Sequence, residues 1–244
     1  MKKLFTLIAM AGMLAFALSC SKDDSKDTKK NNEEDPQKEE PVATITIDGD
    51  FADWAALDAT KVAVAKNNPD SPWEAVSEIR CYATEDFVFY YIKFDNATIK
   101  EYLGDGCEQL PIRLCINTDG EFTSGYQSYF LDGYDFIIEG SLIADGAWTA
   151  FDGTLHQRVD GKWKSLLEPG NSLVTGAGAG NEYEIMLFRE VFNGPAASMP
   201  MGKTFQTGIR FYDPGWGELS NMPNASMEEG EGNGWGHLLN ITTN

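Results

Sequence analysis

The sequence predicts an all-β fold, an antiparallel β-sandwich of jelly-roll type with one or two short helices. Three observations favour this class. Short apolar or alternating runs recur through residues 42–244, turn-forming glycine, aspartate, asparagine and proline separate them, and no heptad, long amphipathic helix or fixed-period repeat occurs. Short strands divided by turn residues are typical of sandwiches and barrels. We therefore expect one β domain over residues 42–244.

Residues 1–19 have the features of a signal peptide. Lys2 and Lys3 precede an apolar run at 4–18, and Ser19 and Cys20 follow it. The run is shorter than the roughly 20 residues that a helix needs to span a bilayer, which favours a removable leader over a transmembrane anchor. The residues up to Cys20 resemble the bacterial lipobox, and this resemblance implies that Cys20 is diacylated and becomes the mature N-terminus.

Residues 20–41 are expected to be the acylated cysteine and a disordered acidic tether. Positions 21–41 contain five lysines, eight acidic residues and no aliphatic or aromatic side chain, so they cannot bury enough apolar surface to offset chain entropy. The residues directly after Cys20, with Asp23 and Asp24, resemble the surface-export signal of Bacteroidetes lipoproteins. That resemblance implies an outer-membrane protein facing the cell exterior; an ordinary charged linker is the alternative.

The composition of residues 42–244 excludes some partners. These 203 residues carry 12 basic and 30 acidic side chains, a net charge of −18. Nucleic acids and anionic membrane surfaces would be repelled by such a domain, so we expect no nucleic-acid partner and contact with the membrane through the lipid anchor only. An acidic surface suits divalent cations, neutral glycans or simple solubility.

The strand predictions follow runs that are apolar or alternating. They are 42–47, 78–83, 87–94, 112–116, 134–138, 147–151, 155–159, 163–166, 183–187 and 205–212. Brief helical patterns occur at 97–103 and 189–192. Asp160-Gly161 between two alternating runs is the strongest hairpin signal and predicts an exposed two-stranded ribbon. The GAGAG segment at 176–180 is predicted to be flexible backbone before a strand, because it lacks the strand-to-helix setting of a phosphate loop.

The cysteines and histidines offer little for metal or redox chemistry. Cys81, Cys107 and Cys115 form an odd set in an oxidising compartment, so at least one thiol is unpaired. Cys81 and Cys115 fit small buried core residues, and a bridge between Cys107 and Cys115 is the alternative. His156 and His237 are the only histidines, and no C-x-x-C occurs, so zinc has few ligands here.

Several segments resemble family 9 carbohydrate-binding modules and related DOMON-like β-sandwiches. Residues 45–54 (ITIDGDFADW) look like the opening strand of that family, whose tryptophan, here Trp54, packs into the sandwich end. The resemblance continues through 80–94, with its aromatic run FVFYYIKF, through 112–139 and through 183–188. It implies a sandwich fold and a non-catalytic carbohydrate-binding role.

A structural calcium site is predicted around one loop. Asn117, Asp119 and Glu121 stand at alternate positions, and Asp135 arrives from the next strand. Calcium takes six to eight oxygen ligands in flexible geometry, and members of the resembled family often hold calcium near this loop. Asn117 stands where a carboxylate is more usual, which weakens the site. The alternative is that the four residues only form and cap a turn.

Exposed aromatic side chains are the candidates for glycan contact, because sugar rings stack their apolar faces on aromatic rings. The ligand-binding candidates lie in loops or turns: Trp73, Trp216, Trp235 and Tyr126. Trp148 and Trp163 lie in strands and are expected to pack within the fold. Trp54 is likewise expected to be structural.

The sequence therefore predicts a surface-anchored, non-catalytic carbohydrate-binding accessory lipoprotein. Its partners would be a glycan or polysaccharide, together with an outer-membrane transporter or another surface protein. No G-x-S-x-G, H-E-x-x-H or nucleophile-base pairing is present, so an enzyme is not expected. Two alternatives stay open: a structural or adhesive surface protein without a sugar site, and a glycoside hydrolase relative whose paired carboxylates only a tertiary structure could reveal.

Overall fold

A computed structural model describes residues 44–72, 75–104, 108–126, 133–167, 170, 173–193, 201–224 and 238–244. The leader, Cys20 and the tether lie outside these ranges. Within them, no helix has the length and apolar character needed to cross a membrane.

The described residues form thirteen strands and three short α-helices. In chain order they are α1 (Ala52–Ala56), β1 (Ala63–Lys66), β2 (Val76–Ala83), β3 (Phe87–Phe94), α2 (Asn96–Leu103), β4 (Gln109–Asn117), β5 (Phe136–Ala144), β6 (Ala147–Trp148), β7 (Thr154–Val159), β8 (Lys162–Leu167), β9 (Val174–Ala179), β10 (Glu182–Phe188), α3 (Glu190–Asn193), β11 (Thr204–Tyr212), β12 (Glu218–Met222) and β13 (Leu239–Thr242).

The strands form two antiparallel sheets, which confirms the predicted β-sandwich. The small sheet has the order β1-β2-β3-β10-β9. The large sheet has the order β12-β11-β4-β5-β7-β8, with β13 also paired to β11 and β6 to β5. The inward-facing side chains of both sheets form one main core, as alternation along a strand requires.

Strand β3 shows why a strand without alternation is stable here. Every residue of FVFYYIKF except Lys93 is buried. Val88, Tyr90, Ile92 and Phe94 face the main core, while Phe87, Phe89 and Tyr91 form a second apolar cluster with Ile45 and Trp54. The segment before β1 thus covers the outer face of the small sheet, and both faces of β3 are buried.

The segment that covers the small sheet is held by one buried carboxylate. Glu184 Oε1 accepts hydrogen bonds from the backbone N–H groups of Asp48 at 3.0 Å and Gly49 at 2.9 Å. Its Oε2 accepts one from Trp54 Nε1 at 3.1 Å. Burial raises the pKa of Glu184 above its ordinary value, although the three donors oppose that change. Trp54 is 4% exposed, which confirms its predicted structural role.

The predicted strand at 42–47 is wrong over its described part, because residues 44–47 are irregular. The backbone N–H groups that follow them, at Asp48 and Gly49, bond to the Glu184 side chain and not to a neighbouring strand. The apolar alternation has another cause: Ile45 is buried in the second apolar cluster.

The GAGAG segment is not a flexible approach to a strand, as predicted: residues 176–179 belong to strand β9, and Gly180 lies in the turn that follows. Gly176 and Gly178 pair with Ile185 and Tyr183 of β10 and face the core. A β-carbon at Gly178 would lie 2.5 Å from the Tyr183 ring and 2.7 Å from the Trp148 ring. Glycine is therefore required because aromatic rings pack directly on the backbone.

The hairpin at Asp160-Gly161 is confirmed. Both residues have positive φ, 50° and 74°, as a type I′ turn requires. The ribbon is less isolated than predicted, because β7 also pairs with β5. Of the two ribbon strands, only β8 lies at a sheet edge.

The remaining differences are local. The predicted strand 147–151 shrinks to the two residues of β6, and helix α1 and strands β1, β12 and β13 were not predicted. Strands such as ELSNM of β12 lack an apolar pattern, and form because a neighbouring strand supplies their hydrogen bonds. Cys81 and Cys115 are buried, as predicted. Cys107 and His237 lie outside the described residues, so a bridge to Cys107 stays a prediction.

Candidate ligand-binding groove

The outer face of the large sheet carries a groove of about 250 Å³. The same alternation that buries Ile112, Leu114 and Ile116 of β4 turns Arg113 and Cys115 to the opposite face. Neighbouring strands contribute their own outward residues. The lining residues are Arg113, Cys115, Tyr126, Tyr134, Ile137, Glu139, His156, Trp163, Arg210 and Tyr212.

Strand register orders these side chains into rows across the sheet. Arg210, Arg113 and Glu139 are direct neighbours on β11, β4 and β5. The next row contains Cys115, Ile137 and His156 on β4, β5 and β7. Cys115 and Ile137 are buried and pack with Tyr134, so the floor is apolar while the first row is charged. Such a groove combines an apolar surface with a few oriented polar groups, as small-ligand sites do.

An aromatic pair with an arginine stands at the β11 end of the groove. The rings of Tyr212 and Trp216 are 5.4 Å apart. The guanidinium carbon of Arg113 lies 5.0 Å from the Tyr212 ring centroid and 4.9 Å from that of Trp216. These distances allow a cation–π interaction with both rings. We call Arg113, Tyr212 and Trp216 the first aromatic cluster.

The loop that presents Trp216 is held by its own hydrogen bonds. Asp213 Oδ1 accepts from the N–H groups of Gly215 at 2.8 Å and Gly217 at 2.7 Å. Trp216 has φ 66° and is 47% exposed. A bulky residue rarely adopts positive φ, and such strain costs of order 1–3 kcal/mol and clusters at functional sites. The loop therefore keeps an exposed indole in place at an energetic cost.

A matching cluster stands at the β8 end. The Tyr126 and Trp163 rings are 5.4 Å apart. The guanidinium carbon of Arg158 lies 5.4 Å from the Tyr126 centroid and 5.3 Å from that of Trp163. Two backbone hydrogen bonds to Tyr134, of 2.7 and 2.8 Å, hold Tyr126 beside the sheet. Arg158, Tyr126 and Trp163 form the second aromatic cluster.

The two clusters lie at opposite ends of the groove. Strands β11 and β8 are separated by β4, β5 and β7. Four strand spacings of about 4.8 Å correspond to roughly 19 Å. The groove thus spans more than one small ring, with planar aromatic faces and guanidinium groups at both ends.

Ion pairs fix two of the arginines on this face. Arg113 Nε donates to Glu139 Oε2 at 2.6 Å, and Arg210 lies 3.5 Å from Glu218. Desolvation lowers the pKa of Arg113, but the hydrogen bonds and charge interactions with Glu139 and Tyr212 together outweigh it, and the net pKa is raised. Burial raises the pKa of Tyr212, so its hydroxyl stays protonated and able to donate. The face therefore presents permanent cations and hydrogen-bond donors.

Of the four predicted ligand-binding aromatics, Tyr126 lines the groove, and Trp216 packs on the lining residues Arg113 and Tyr212. Trp216 belongs to the first aromatic cluster and Tyr126 to the second. Trp73 and Trp235 lie outside the described residues. Trp148 packs against Tyr183 in the core, as expected.

Sequence reasoning missed most of the polar side chains of the groove and three of its aromatics, Tyr134, Trp163 and Tyr212. Trp163 was assigned to packing; it packs on Tyr126 and also lines the groove. Arg113 and Arg210 were not singled out at all. A signal existed, because a charged residue inside an apolar strand, as in PIRLCI and GIRFY, indicates a position that faces away from the core.

The predicted calcium ligands form a hydrogen-bonded turn. Asn117 Oδ1 accepts from Gly120 N at 2.7 Å, and Asp119 Oδ1 accepts from Glu121 N at 2.8 Å. Asp135 Oδ2 accepts from the Thr118 N–H and hydroxyl groups, and burial raises the pKa of Asp135. Within the described ranges, no three carboxylate, histidine or cysteine side chains converge as metal ligands would. Calcium binding stays a prediction.

The sequence matches no protein-family model, and a comparison with curated proteins finds no match. The resemblance to carbohydrate-binding modules therefore stays a prediction, and the fold and the groove supply the structural support for a functional proposal.

Proposed function

We propose that this chain is a lipid-anchored, non-catalytic carbohydrate-binding protein that holds a glycan in the groove on its large sheet. The observation that carries the proposal is the pair of aromatic clusters, one at each end of the groove, each with an arginine over its rings. Sugars present apolar C–H faces to aromatic rings and hydroxyl groups to polar side chains, and both partners are available here.

The groove is suited to holding a ligand in one orientation. Trp216 is exposed on a loop fixed by Asp213, and Arg113 of the first aromatic cluster stands in one row with Arg210 and Glu139 across the groove. Because these groups are already positioned by strands and ion pairs, little side-chain entropy is lost on binding. Pre-organised recognition of an oligosaccharide follows naturally from this arrangement.

The cellular setting is part of the same proposal. The leader, Cys20 and the acidic tether support a lipoprotein that extends from the outer membrane to the cell exterior. A glycan-binding domain on a tether would concentrate polysaccharide near an outer-membrane transporter or another surface protein. A structural calcium ion at 117–135 belongs to the proposal and is tested with it.

Glycan binding is expected in a screen with the unlipidated chain, residues 21–244. Saturable binding to at least one polysaccharide is expected by calorimetry, and Trp216→Ala and Trp163→Ala should each weaken it by about tenfold or more, since each removes a large aromatic contact surface. Each measurement is repeated with calcium and with chelator. A calcium-dependent melting temperature would support the ion site, and no change would reject it.

Val64→Ala is the matched control, because Val64 is 46% exposed on β1 of the other sheet. Its affinity should equal that of the unmodified chain, and circular dichroism should show that all three variants remain folded. Binding that survives both tryptophan substitutions would place the site elsewhere. Failure to bind any glycan in a broad panel would reject the proposal in favour of a structural or adhesive role.

A further inference from the structure

We infer that the glycan held in the groove is anionic and carries carboxylate groups, as uronic-acid saccharides do. This inference rests on the proposed function and narrows its ligand class. It arises from the placement of arginine in the chain, which neither the fold nor the proposed stacking contacts require.

Arginine is concentrated at the groove. The chain contains five arginines, and Arg113, Arg158 and Arg210 all lie on the outer face of the large sheet. The remainder of the domain is strongly acidic, with a net charge of −18 over residues 42–244. Three permanent cations on one face of an otherwise acidic domain would complement an anionic ligand.

The acidic residues of the same face do not offset all three cations. Glu139 pairs with Arg113 and Glu218 with Arg210. For Arg158, no carboxylate oxygen of the described residues lies within 4.0 Å, and its buried Nε atom has no hydrogen-bond partner among them. Among the described residues, the guanidinium of Arg158 in the second aromatic cluster therefore has no carboxylate partner.

A carboxylate is the ligand group that fits this cation. Guanidinium presents parallel N–H donors that match the two oxygens of a carboxylate, and such charge-assisted bonds are about twice as strong as neutral ones. The guanidinium of Arg158 already lies against Tyr126 and Trp163. A uronic-acid ring could use the aromatic surface for its apolar face and Arg158 for its carboxylate.

The overall negative charge of the domain does not prevent this contact. At physiological ionic strength charges are screened beyond about 8 Å, so distant acidic residues act weakly on a ligand seated between the clusters. The local arginines act at contact distance. Affinity should accordingly fall as salt concentration rises, which stacking alone would not cause.

The experiment compares polygalacturonate, alginate and hyaluronan with the carboxyl-reduced form of each polymer, using the unlipidated chain, residues 21–244. At least one acidic polymer should bind, and its carboxyl-reduced form should bind at least about tenfold more weakly. Arg158→Gln should lower affinity for the acidic polymer to a similar extent and should lower affinity for the reduced form by a much smaller factor. The affinity of Arg158→Lys for the acidic polymer should lie between those of the unmodified chain and Arg158→Gln, because lysine keeps the charge but loses the paired donors.

Lys162→Gln is the matched control, since it removes an exposed positive charge from the same β7–β8 hairpin. It should change neither affinity by more than about twofold, since exposed charges contribute little. Equal binding of the acidic and reduced polymers, or an equal effect of Arg158→Gln on both, would overturn the inference. The proposed function would still stand if Trp163→Ala weakens binding by about tenfold or more. Absence of binding to every acidic, reduced and neutral glycan would overturn both.

Discussion

Replacing Gly178 with valine is expected to prevent stable folding of the domain. A β-carbon at this position would lie 2.5 Å from the Tyr183 ring and 2.7 Å from the Trp148 ring, closer than van der Waals contact allows. Tyr183 is fully buried in the main core and the partly buried Trp148 packs on it at 5.3 Å, so the Tyr183 ring cannot withdraw without opening a cavity. Overpacking a dense core by a few atoms costs about 1–3 kcal/mol, and a branched side chain at so close a contact should exceed that range.

The smaller substitution keeps the test informative if the valine variant yields no soluble protein. Gly178→Ala should fold with its free energy of unfolding reduced by about 1–3 kcal/mol in urea titration. Ala179→Ser, at the neighbouring exposed position of the same strand, should lie within about 0.5 kcal/mol of the unmodified chain. Full stability of both Gly178 variants would show that the rings do not pack on this backbone.

Removing the Glu184 carboxylate is expected to release the segment that covers the small sheet. Glu184→Ala leaves the N–H groups of Asp48, Gly49 and Trp54 without their acceptor. The Trp54 Nε1 donor is buried, and leaving it without a partner costs about 1–3 kcal/mol. The bonds to the less buried Asp48 and Gly49 contribute about 0.5–1.5 kcal/mol each, so the total loss should be about 3 kcal/mol. For a domain of this size each kcal/mol corresponds to roughly 2–4 °C, which predicts a melting temperature lower by about 6–12 °C.

Glu184→Gln separates the loss of hydrogen bonds from the loss of volume. It keeps the side-chain shape but replaces one acceptor oxygen with an amino group, so its melting temperature should lie between those of Glu184→Ala and the unmodified chain. Glu101→Ala, on the exposed surface of α2, is the control and should change it little. A Glu184→Ala variant as stable as this control would mean that the three hydrogen bonds contribute nothing to stability.

The two predictions bear on the groove as well as on the fold. Glu184 on β10 and Gly178 on β9 both lie in the small sheet, whereas the groove lies on the outer face of the large sheet. Arg113, Cys115 and Arg210 reach the groove from strands whose inward residues pack in the main core. Loss of the core therefore removes the groove, whereas Trp163→Ala and Arg158→Gln should alter binding with the core intact.

The local patterns of the sequence predicted much of the β-sandwich. The runs at 87–94 and 205–212 correspond closely to β3 and β11, and Asp160-Gly161 forms its hairpin turn. These features depend on near neighbours: alternation places side chains on two faces, and a type I′ turn needs two residues with positive φ. Such information is present in any short window of the chain.

The position of Trp54 could also be predicted, because an apolar side chain after an Asp-Gly turn returns to the core. What holds Trp54 could not be predicted, since its partner Glu184 is 130 residues away in sequence. The same limit explains why the strand prediction was wrong over residues 44–47 and why GAGAG was misinterpreted. In both segments the decisive contacts, Glu184 for one and the Tyr183 and Trp148 rings for the other, come from distant parts of the chain.

For the groove, the sequence by itself determined which side chains alternate out of the core and that Trp216 lies in a Gly-rich loop. Only the tertiary structure decided that Trp216 and Tyr212 lie at one end, Trp163 and Tyr126 at the other, with an arginine on each pair. Sheet order places β11, β4, β5, β7 and β8 side by side although they are distant in sequence. Strand pairing between remote segments depends on the whole core, and no local pattern of residues encodes it.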